Sequence, residues 1–461
     1  IIKKHLIFNS SMKKIYLHLL ILFFFTLVSL LLSSYIGFER HWSSTYDQEL
    51  TLSYNALLFN NGLKLEYLDH PGYFTILLLS LIIKFLSIFD LVTIEKISQI
   101  NNLNFDESFQ EIIIITRIYS SIILSVFIFI NYFLFYRLSK NKIGSFFLAS
   151  LIFIAPGTIF LFTGLRTELI AMAFILISLI CLKEFFNNEK FRYFFLLGFF
   201  TFMFCAILNK MQVFFLYPFF LIIFYQSDNK FKNFDIKNFY FLNHKLIPLV
   251  IFLLIIFYIY LPNNTLHPFP YLSGFAIIFY LFILNLFFYF VLRSQNQLIK
   301  INLIVINLTL ITTYFVIKNF LLIHPSTNPI IFTNITRIMH LTQYIHESPQ
   351  VDDAINTLYF LFSKFFVFAL KIFQNIILKI NYYSILILLN VLLMLAYKSS
   401  MTKKMVLFNL ICLITSIFLI ILNSYRLDGN ILPQYYLFSD LFLIISYLNF
   451  IKFIQIYLFI L

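Results

Sequence analysis

Charged residues and cysteines are both scarce in this chain. Only 11% of its 461 residues are charged while 61% are hydrophobic, which argues against a soluble domain because so much apolar surface cannot be buried at this length. The 3 cysteines, Cys181, Cys205 and Cys412, all lie inside apolar runs. Their number and placement exclude a disulfide framework or a cysteine-based metal site. The composition therefore predicts a polytopic membrane protein.

Long apolar runs follow one another along the chain and predict an all-α membrane fold. Each run approaches the ~20 residues that cross about 30 Å of hydrocarbon, and we expect about 11–13 transmembrane helices. The run at 15–36 is too long for a signal-peptide core and no small-residue cleavage site follows, which predicts an uncleaved signal anchor with a cytoplasmic N-terminus. The clearest runs are 15–35, 112–136, 167–182, 246–261, 275–292, 301–317, 382–397 and 405–422.

Lysine and arginine in short loops orient the predicted helices. The net charge of +13 resides largely in such loops, so it indicates no nucleic-acid partner. The basic loops 137–142, 183–192, 228–237 and 398–404 should be cytoplasmic. The acidic loop 91–111 fits either side, because acidic residues contribute little to topology. The segments expected to share the outer face are 37–72, 163–168, 209–212, 262–274, 323–356 and 423–436.

The whole chain, 1–461, is expected to form a single membrane domain. Between the outer loop 323–356 and the cytoplasmic loop 398–404 the chain can cross the membrane only once, although it has two apolar segments there. The first of them, 357–379, carries Lys364, Lys371, Asn375 and Lys379 along one helical face. We therefore expect it to be an interfacial amphipathic helix. The predicted order is a first span at 15–36, an outer catalytic loop at 37–72, a helical core at 73–322, an outer loop at 323–356 with the interfacial helix 357–379, and C-terminal spans at 382–461.

Polar residues that can carry chemistry collect on the predicted outer side. Ionisable residues beside apolar segments usually face a cavity or a partner. For each of them a purely structural role is the alternative: helix capping, solvation of a loop, or a lysine that extends to the membrane surface. The candidates are Asp47, Glu49, Asp69, His70, Arg166, Glu168, Lys210, Arg426, Gln434 and Tyr435.

Transfer of a sugar from a polyprenyl phosphate needs few groups. Because the donor already has a good leaving group, cations must hold the phosphate and one carboxylate must accept the proton of the acceptor. A single base opposite the leaving group gives inversion, unlike the paired carboxyl groups of glycosidases. Asp47 fits the base, and Arg166, Lys210 and Arg426 fit phosphate binding.

In this pattern the chain resembles the GT-C membrane glycosyltransferases, especially protein O-mannosyltransferases and the aminoarabinose transferase type. Members carry an acidic residue soon after the first span, as at Asp47, and a His-Pro-Pro or Lys-Pro-Pro element, where this chain has His70-Pro71-Gly72. The other matching elements are Tyr54, Ala56 and Gly62; Ala155-Pro156 followed by Arg166 and Glu168; Leu208-Asn209-Lys210-Met211 leading to Pro218; and Pro433-Gln434-Tyr435-Tyr436, with Gln434 where arginine is usual.

The resemblance implies an inverting transferase that uses a polyprenyl-phosphate sugar, with Asp47 as general base. Glu49, Asp69, His70 and Glu168, together with Gln434 and Tyr435, are expected to position donor and acceptor. The acceptor is a lipid, glycan or protein, and the expected location is the cytoplasmic membrane with the site facing outwards. The mannosyl and aminoarabinosyl members are regarded as metal-independent whereas oligosaccharyltransferase relatives use a divalent ion. We therefore expect no cofactor, and a divalent ion at Asp47-Gln48-Glu49 is the less favoured alternative.

Two alternatives stay open. A lipid-linked polysaccharide polymerase or ligase would place its chemistry in the loop 323–356, where Arg337 and His340 lie. A transporter or flippase of lipid-linked sugars would often contain inverted internal repeats, and none is evident in the sequence.

Overall fold

The computed structural model describes residues 2–210 except 38, 45–46, 64, 67–71, 101–102, 163 and 189, together with Leu370, 381–425 and 436–451. The runs at 246–261, 275–292 and 301–317 and the loops 228–237, 262–274 and 323–356 therefore lie outside the described residues. So do the interfacial helix 357–379, apart from Leu370, and the site candidates Asp69, His70, Arg426, Gln434 and Tyr435.

The described part of the chain is all-α and contains no β-strand. The predicted apolar runs at 15–35, 112–136, 167–182, 382–397 and 405–422 all fall within helices, apart from Tyr397 at the end of one run. The helices are α1 (Ile2–Ile36), α2 (Asp47–Asn60), α3 (Tyr73–Ile88), α4 (Phe105–Ser139), α5 (Lys142–Ser150), α6 (Pro156–Ile159), α7 (Thr167–Asn187), α8 (Arg192–Asn209), α9 (Tyr382–Ala396), α10 (Lys403–Tyr425) and α11 (Leu437–Ile445).

Two of the described helices are long and apolar enough to cross a membrane, Ile15–Ile36 of α1 and Phe105–Ser139, which is α4. They differ in burial, because only 11% of the α1 stretch is buried against 61% of the α4 stretch. α4 is thus a central helix, whereas α1 turns a largely apolar surface outwards.

Helices α1 and α4 pack antiparallel. The hydroxyls of Thr26 and Ser125 are hydrogen-bonded at 3.0 Å, and the rings of His18 and Tyr132 lie 5.8 Å apart nearer the other end. After α1 the chain stays beside the start of α4, where the Trp42 indole donates to Asp106 at 3.1 Å. The end of α1 and the start of α4 therefore share one end of the bundle, here called the polar end.

The segment between α1 and α4 remains at the polar end. Asn60, the last residue of α2, donates to the Glu95 carbonyl at 3.1 Å and accepts from the Ser80 hydroxyl at 2.6 Å. α3 has 16 residues, about 24 Å at 1.5 Å per residue, and is too short to cross about 30 Å alone. Residues 91–100 and the start of α4 thus lie at the same end as 39–66, a point that the sequence left open.

The expected catalytic loop 37–72 contains a helix. In α2, Leu52, Ala56 and Leu57 line one face and are buried with Ile76 of α3 and Ile112 of α4. Their helical spacing gives α2 an apolar face that packs against these helices. The sequence analysis did not predict this helix, because α2 begins with polar residues that are typical of a loop.

Helices α7 and α8 form a hairpin beside α4. At the far end of the bundle, Arg137 of α4 pairs with Glu184 of α7 at 2.9 Å. Asn141 reaches the Ile451 carbonyl, and Asn449 is hydrogen-bonded to Asn409 near the start of α10 at 3.0 Å. The basic segments 137–142, 183–192 and 398–404 consequently gather at the end opposite the polar end.

The return from α5 to the polar end is broken just before Pro156, because proline lacks a backbone N–H and does not continue a helix. α5 ends at Ser150 and α6 begins at Pro156. Gly157 lies directly against α11, where its amide donates to Asp440 Oδ2 at 2.8 Å. A Cβ atom at position 157 would lie 2.4 Å from the backbone nitrogen of Leu437.

We predict that Gly157→Ala lowers the midpoint of thermal unfolding of the purified protein in detergent. Extra volume in a packed interior costs about 1–3 kcal/mol, and here the neighbour is backbone, which cannot rotate away. Gly198→Ala is the matched control, since the atom nearest to its Cβ would be the side-chain Sγ of Cys181 at 3.1 Å, and no backbone atom lies closer. Equal midpoints for the two variants would contradict the close approach at Gly157.

Candidate functional site

A buried group of charges lies where the α7–α8 hairpin opens at the polar end. Glu168 Oε1 lies 3.3 Å from Arg166 Nη2 and 3.0 Å from Lys210 Nζ. The three side chains are only 6–8% exposed. Arg166 immediately precedes α7 and Lys210 immediately follows α8, so the group, here called the cation cluster, closes the hairpin.

Asn209 joins the cation cluster to α3. Its side-chain oxygen accepts from both the backbone amide and the hydroxyl of Thr75 at 3.1 Å, and its amide donates to the Thr167 carbonyl at 2.6 Å. Three helix ends therefore meet here, the starts of α3 and α7 and the end of α8. In the sequence, Asn209 appeared only as part of a motif around Lys210.

A second buried pair joins α2 to α4. Arg117 Nε donates to Glu49 Oε1 at 3.2 Å, both side chains are fully buried, and Arg117 Nη1 also donates to the Arg40 carbonyl. Burial raises the pKa of the Glu49 carboxyl to about 7, against the opposing effects of the Arg117 and Arg40 guanidinium groups. We call Arg40, Glu49 and Arg117 the Arg117 cluster.

The two clusters adjoin at Gly72, the residue before α3. A Cβ atom at position 72 would lie 2.5 Å from Thr167 Cγ2 and 3.0 Å from Leu52 Cδ2. Leu52 lies one helical turn after Glu49 on α2, and Thr167 lies between Arg166 and Glu168. The connection between the two clusters is thus a close packing of α2, the start of α3 and the start of α7.

Four of the ten sequence candidates have described side chains: Glu49, Arg166, Glu168 and Lys210. The structure brings the last three into direct contact and places Glu49 in the neighbouring Arg117 cluster. Asp47 is the first residue of α2, in the same turn as Glu49; its side chain lies outside the described part. Asp69, His70, Arg426, Gln434 and Tyr435 fall within the undescribed segments 67–71 and 426–435.

Among the described residues, two buried acidic or basic side chains were absent from the sequence candidates. Arg117 lies within the apolar run 112–136, and Asp440 lies in α11, where it is only 2% exposed. An isolated charge inside an apolar run was the signal that could have identified both, because such residues are costly unless they have a partner.

No protein-family model, no curated protein and no solved structure matches this chain. Within the described ranges, no group of three or more His, Cys, Asp or Glu side chains could hold a metal ion. The cation cluster itself has a clear electrostatic character: two cations that share one carboxylate attract an anion, and the neighbouring helix α2 begins with the acidic residue Asp47.

We predict that the Glu49 contribution to the free energy of unfolding decreases as the pH rises from about 4.5 to about 7. The carboxyl keeps its proton up to about pH 7 in the folded protein but ionises at its ordinary pKa of 4.5 in the unfolded chain. Folding therefore takes up a proton in this window, and the contribution is complete below it. The unfolding midpoint of the wild type should fall with pH more steeply than that of Glu49→Gln; parallel curves would contradict the prediction.

We also predict that Glu168→Gln destabilises the protein by about 3–5 kcal/mol, because it deprives Arg166 and Lys210 of the carboxylate they share in a buried site. Glu168→Gln/Lys210→Gln restores the net charge of the cation cluster and should recover part of the loss. The control is Glu184→Gln, which breaks the more exposed pair with Arg137 and should cost about 1 kcal/mol or less. A double variant less stable than Glu168→Gln in thermal unfolding would contradict this account.

Proposed function

We propose that this protein is a polytopic membrane glycosyltransferase of the GT-C type. It moves a sugar from a polyprenyl-phosphate donor to a lipid, glycan or protein acceptor, with inversion and with Asp47 as general base. The observation that supports this most directly is the cation cluster, a buried group of two cations and one carboxylate next to the helix that begins at Asp47.

Several features support the membrane part of the proposal. The apolar residues Leu20, Phe23 and Leu31 of α1 are more than half exposed, as expected for a lipid-facing helix. The basic segments 137–142, 183–192 and 398–404 gather at one end, which makes that end cytoplasmic under the positive-inside rule. The polar end then faces outwards from the cytoplasmic membrane.

The proposed reaction uses one carboxylate and a set of phosphate-binding cations. The Asp47 carboxylate accepts a proton from the acceptor hydroxyl or amine as the acceptor atom bonds to the anomeric carbon. The bond from that carbon to the phosphate oxygen breaks on the opposite face, which inverts the configuration. Polyprenyl phosphate leaves with the additional negative charge, and Arg166 and Lys210, joined by Arg426, stabilise that charge.

A low-polarity surrounding strengthens this stabilisation. Arg166, Glu168 and Lys210 are more than nine-tenths buried, so little water screens their attraction for a phosphate. Glu168 holds both cations in place before the donor arrives. The cations are thus oriented in advance, and little reorganisation is needed as charge develops on the leaving group.

We predict that Asp47→Asn reduces transfer by about 10²–10⁴-fold, the usual contribution of a general base, with little change in the KM for the donor. Membranes containing the wild type or the variant are incubated with polyprenyl phosphates carrying radiolabelled mannose or aminoarabinose, and labelled acceptors are separated into lipid, glycan and protein. Glu107→Gln is the control, because Glu107 is an exposed carboxylate in the first turn of α4.

The outcomes separate the alternatives. Label transferred by the wild type and by Glu107→Gln but not by Asp47→Asn supports the proposal. Equal transfer by all three removes Asp47 from the mechanism and favours a polymerase or ligase with its chemistry in 323–356. Uptake of labelled donor into sealed vesicles without transfer would favour a transporter.

A further inference from the structure

Arg117 has no part in the proposed reaction, yet it is among the most completely buried large side chains in the described part of the chain. It contacts two elements besides its own helix: Nε donates to Glu49 of α2 at 3.2 Å, and Nη1 donates to the carbonyl of Arg40 in the connection after α1. A buried guanidinium is retained only where such partners hold it. These contacts therefore indicate that Arg117 holds α2 and the connection after α1 against α4.

The contacts of Arg117 and its neighbour fix α2 in two ways. One turn after Glu49, the Ser53 hydroxyl is hydrogen-bonded to Thr116 at 2.9 Å and donates to the Glu49 carbonyl at 2.8 Å. Residues four apart lie on the same face of a helix, so Glu49 and Ser53 both face α4. Two attachment points one turn apart set both the rotation of α2 and its position along α4.

Asp47 lies at the end of α2 that these contacts fix. It precedes Glu49 by two residues in the first helical turn, so its backbone moves with Glu49. Without the bond to Arg117, α2 would be attached to α4 by the Ser53–Thr116 hydrogen bond one turn further on and by apolar contacts from Leu52 onwards, so the direction of the first turn would be less closely defined. A general base must be held closely, since a misplacement of 1 Å can cost about 10²-fold in rate.

We propose that Arg117 is a positioning residue that fixes Asp47 at the polar end by binding Glu49 and the Arg40 carbonyl. The inference rests on the proposed function for its catalytic consequence. Its structural consequence, a fixed first turn of α2, is independent of that function. Lysine at position 117 cannot replace it, because one ammonium group lacks the fork of donors that reaches both partners.

The test measures the position of residue 47 directly. Cys181, Cys205 and Cys412 are replaced by alanine, and nitroxide labels are attached to cysteines at position 47 and at Ile143, an exposed residue of α5 at the opposite end. Pulsed electron resonance gives the distribution of distances between the labels. We expect a narrow distribution with Arg117 and a clearly broader one in Arg117→Lys and Arg117→Gln.

Arg137→Gln is the matched control. It removes an arginine from the same helix, one that pairs with a glutamate at 2.9 Å at the opposite end. Its distance distribution should stay as narrow as that of the parent. In unlabelled protein, Arg117→Lys should lower kcat by about 10–100-fold with the donor KM unchanged, because the base is displaced while the phosphate-binding cations are not.

A distribution as narrow as the parent's in the folded Arg117 variants would overturn the inference, whatever their transfer rates. If Arg117→Gln fails to accumulate, Glu49→Gln/Arg117→Gln replaces it, since two amides leave no lone buried charge and the broader distribution is still expected. Full transfer by Asp47→Asn would instead refute the proposed function, and it would leave the distance result unaffected. The two failures are thus distinguishable.

Discussion

The ion pairs of Arg166 and Lys210 with Glu168 hold the polar end together. These charges lie more than nine-tenths buried, where each one is stable only beside an opposite charge. Because Arg166 precedes α7 and Lys210 follows α8, the pairing closes the hairpin at the end remote from its own turn. Asn209 then attaches α3 at the same point, so one electrostatic requirement sets the position of three helix ends.

The opposite end of the bundle is built differently. Its pair of Arg137 and Glu184 has side chains 38% and 15% exposed, so water screens the charges and the pair adds little stability. The charged pairs at the two ends of the bundle therefore differ in how strongly water screens them. A charge arriving at the polar end meets fixed partners in a poorly screened surrounding, whereas a charge at the other end is largely solvated. Any chemistry on an anionic substrate is therefore favoured at the polar end.

Local pattern predicted the helices but not the pairing of charges. The apolar runs predicted α1, α4 and α7, because hydrophobic periodicity is a signal that acts within a few residues. The grouping of Arg166, Glu168 and Lys210 followed in part from their shared side. Arg117 was missed because it lies 68 positions from Glu49 and within an apolar run, and α2 was missed because its first turn reads Asp47-Gln48-Glu49, as a solvated loop would.

Gly72 shows how the two clusters depend on each other. The resembled transferases carry a second proline after His-Pro or Lys-Pro, and this chain has glycine there. Thr167 Cγ2 and Leu52 Cδ2 would lie 2.5 and 3.0 Å from any Cβ at position 72, so proline or another side chain there would require Thr167 and Leu52 to shift. The glycine lets the helix that begins at Asp47 pack against the start of the helix that carries Glu168. The proposed base at the start of α2 and the cation cluster thus lie on different elements, and the absence of a side chain at Gly72 permits their close packing.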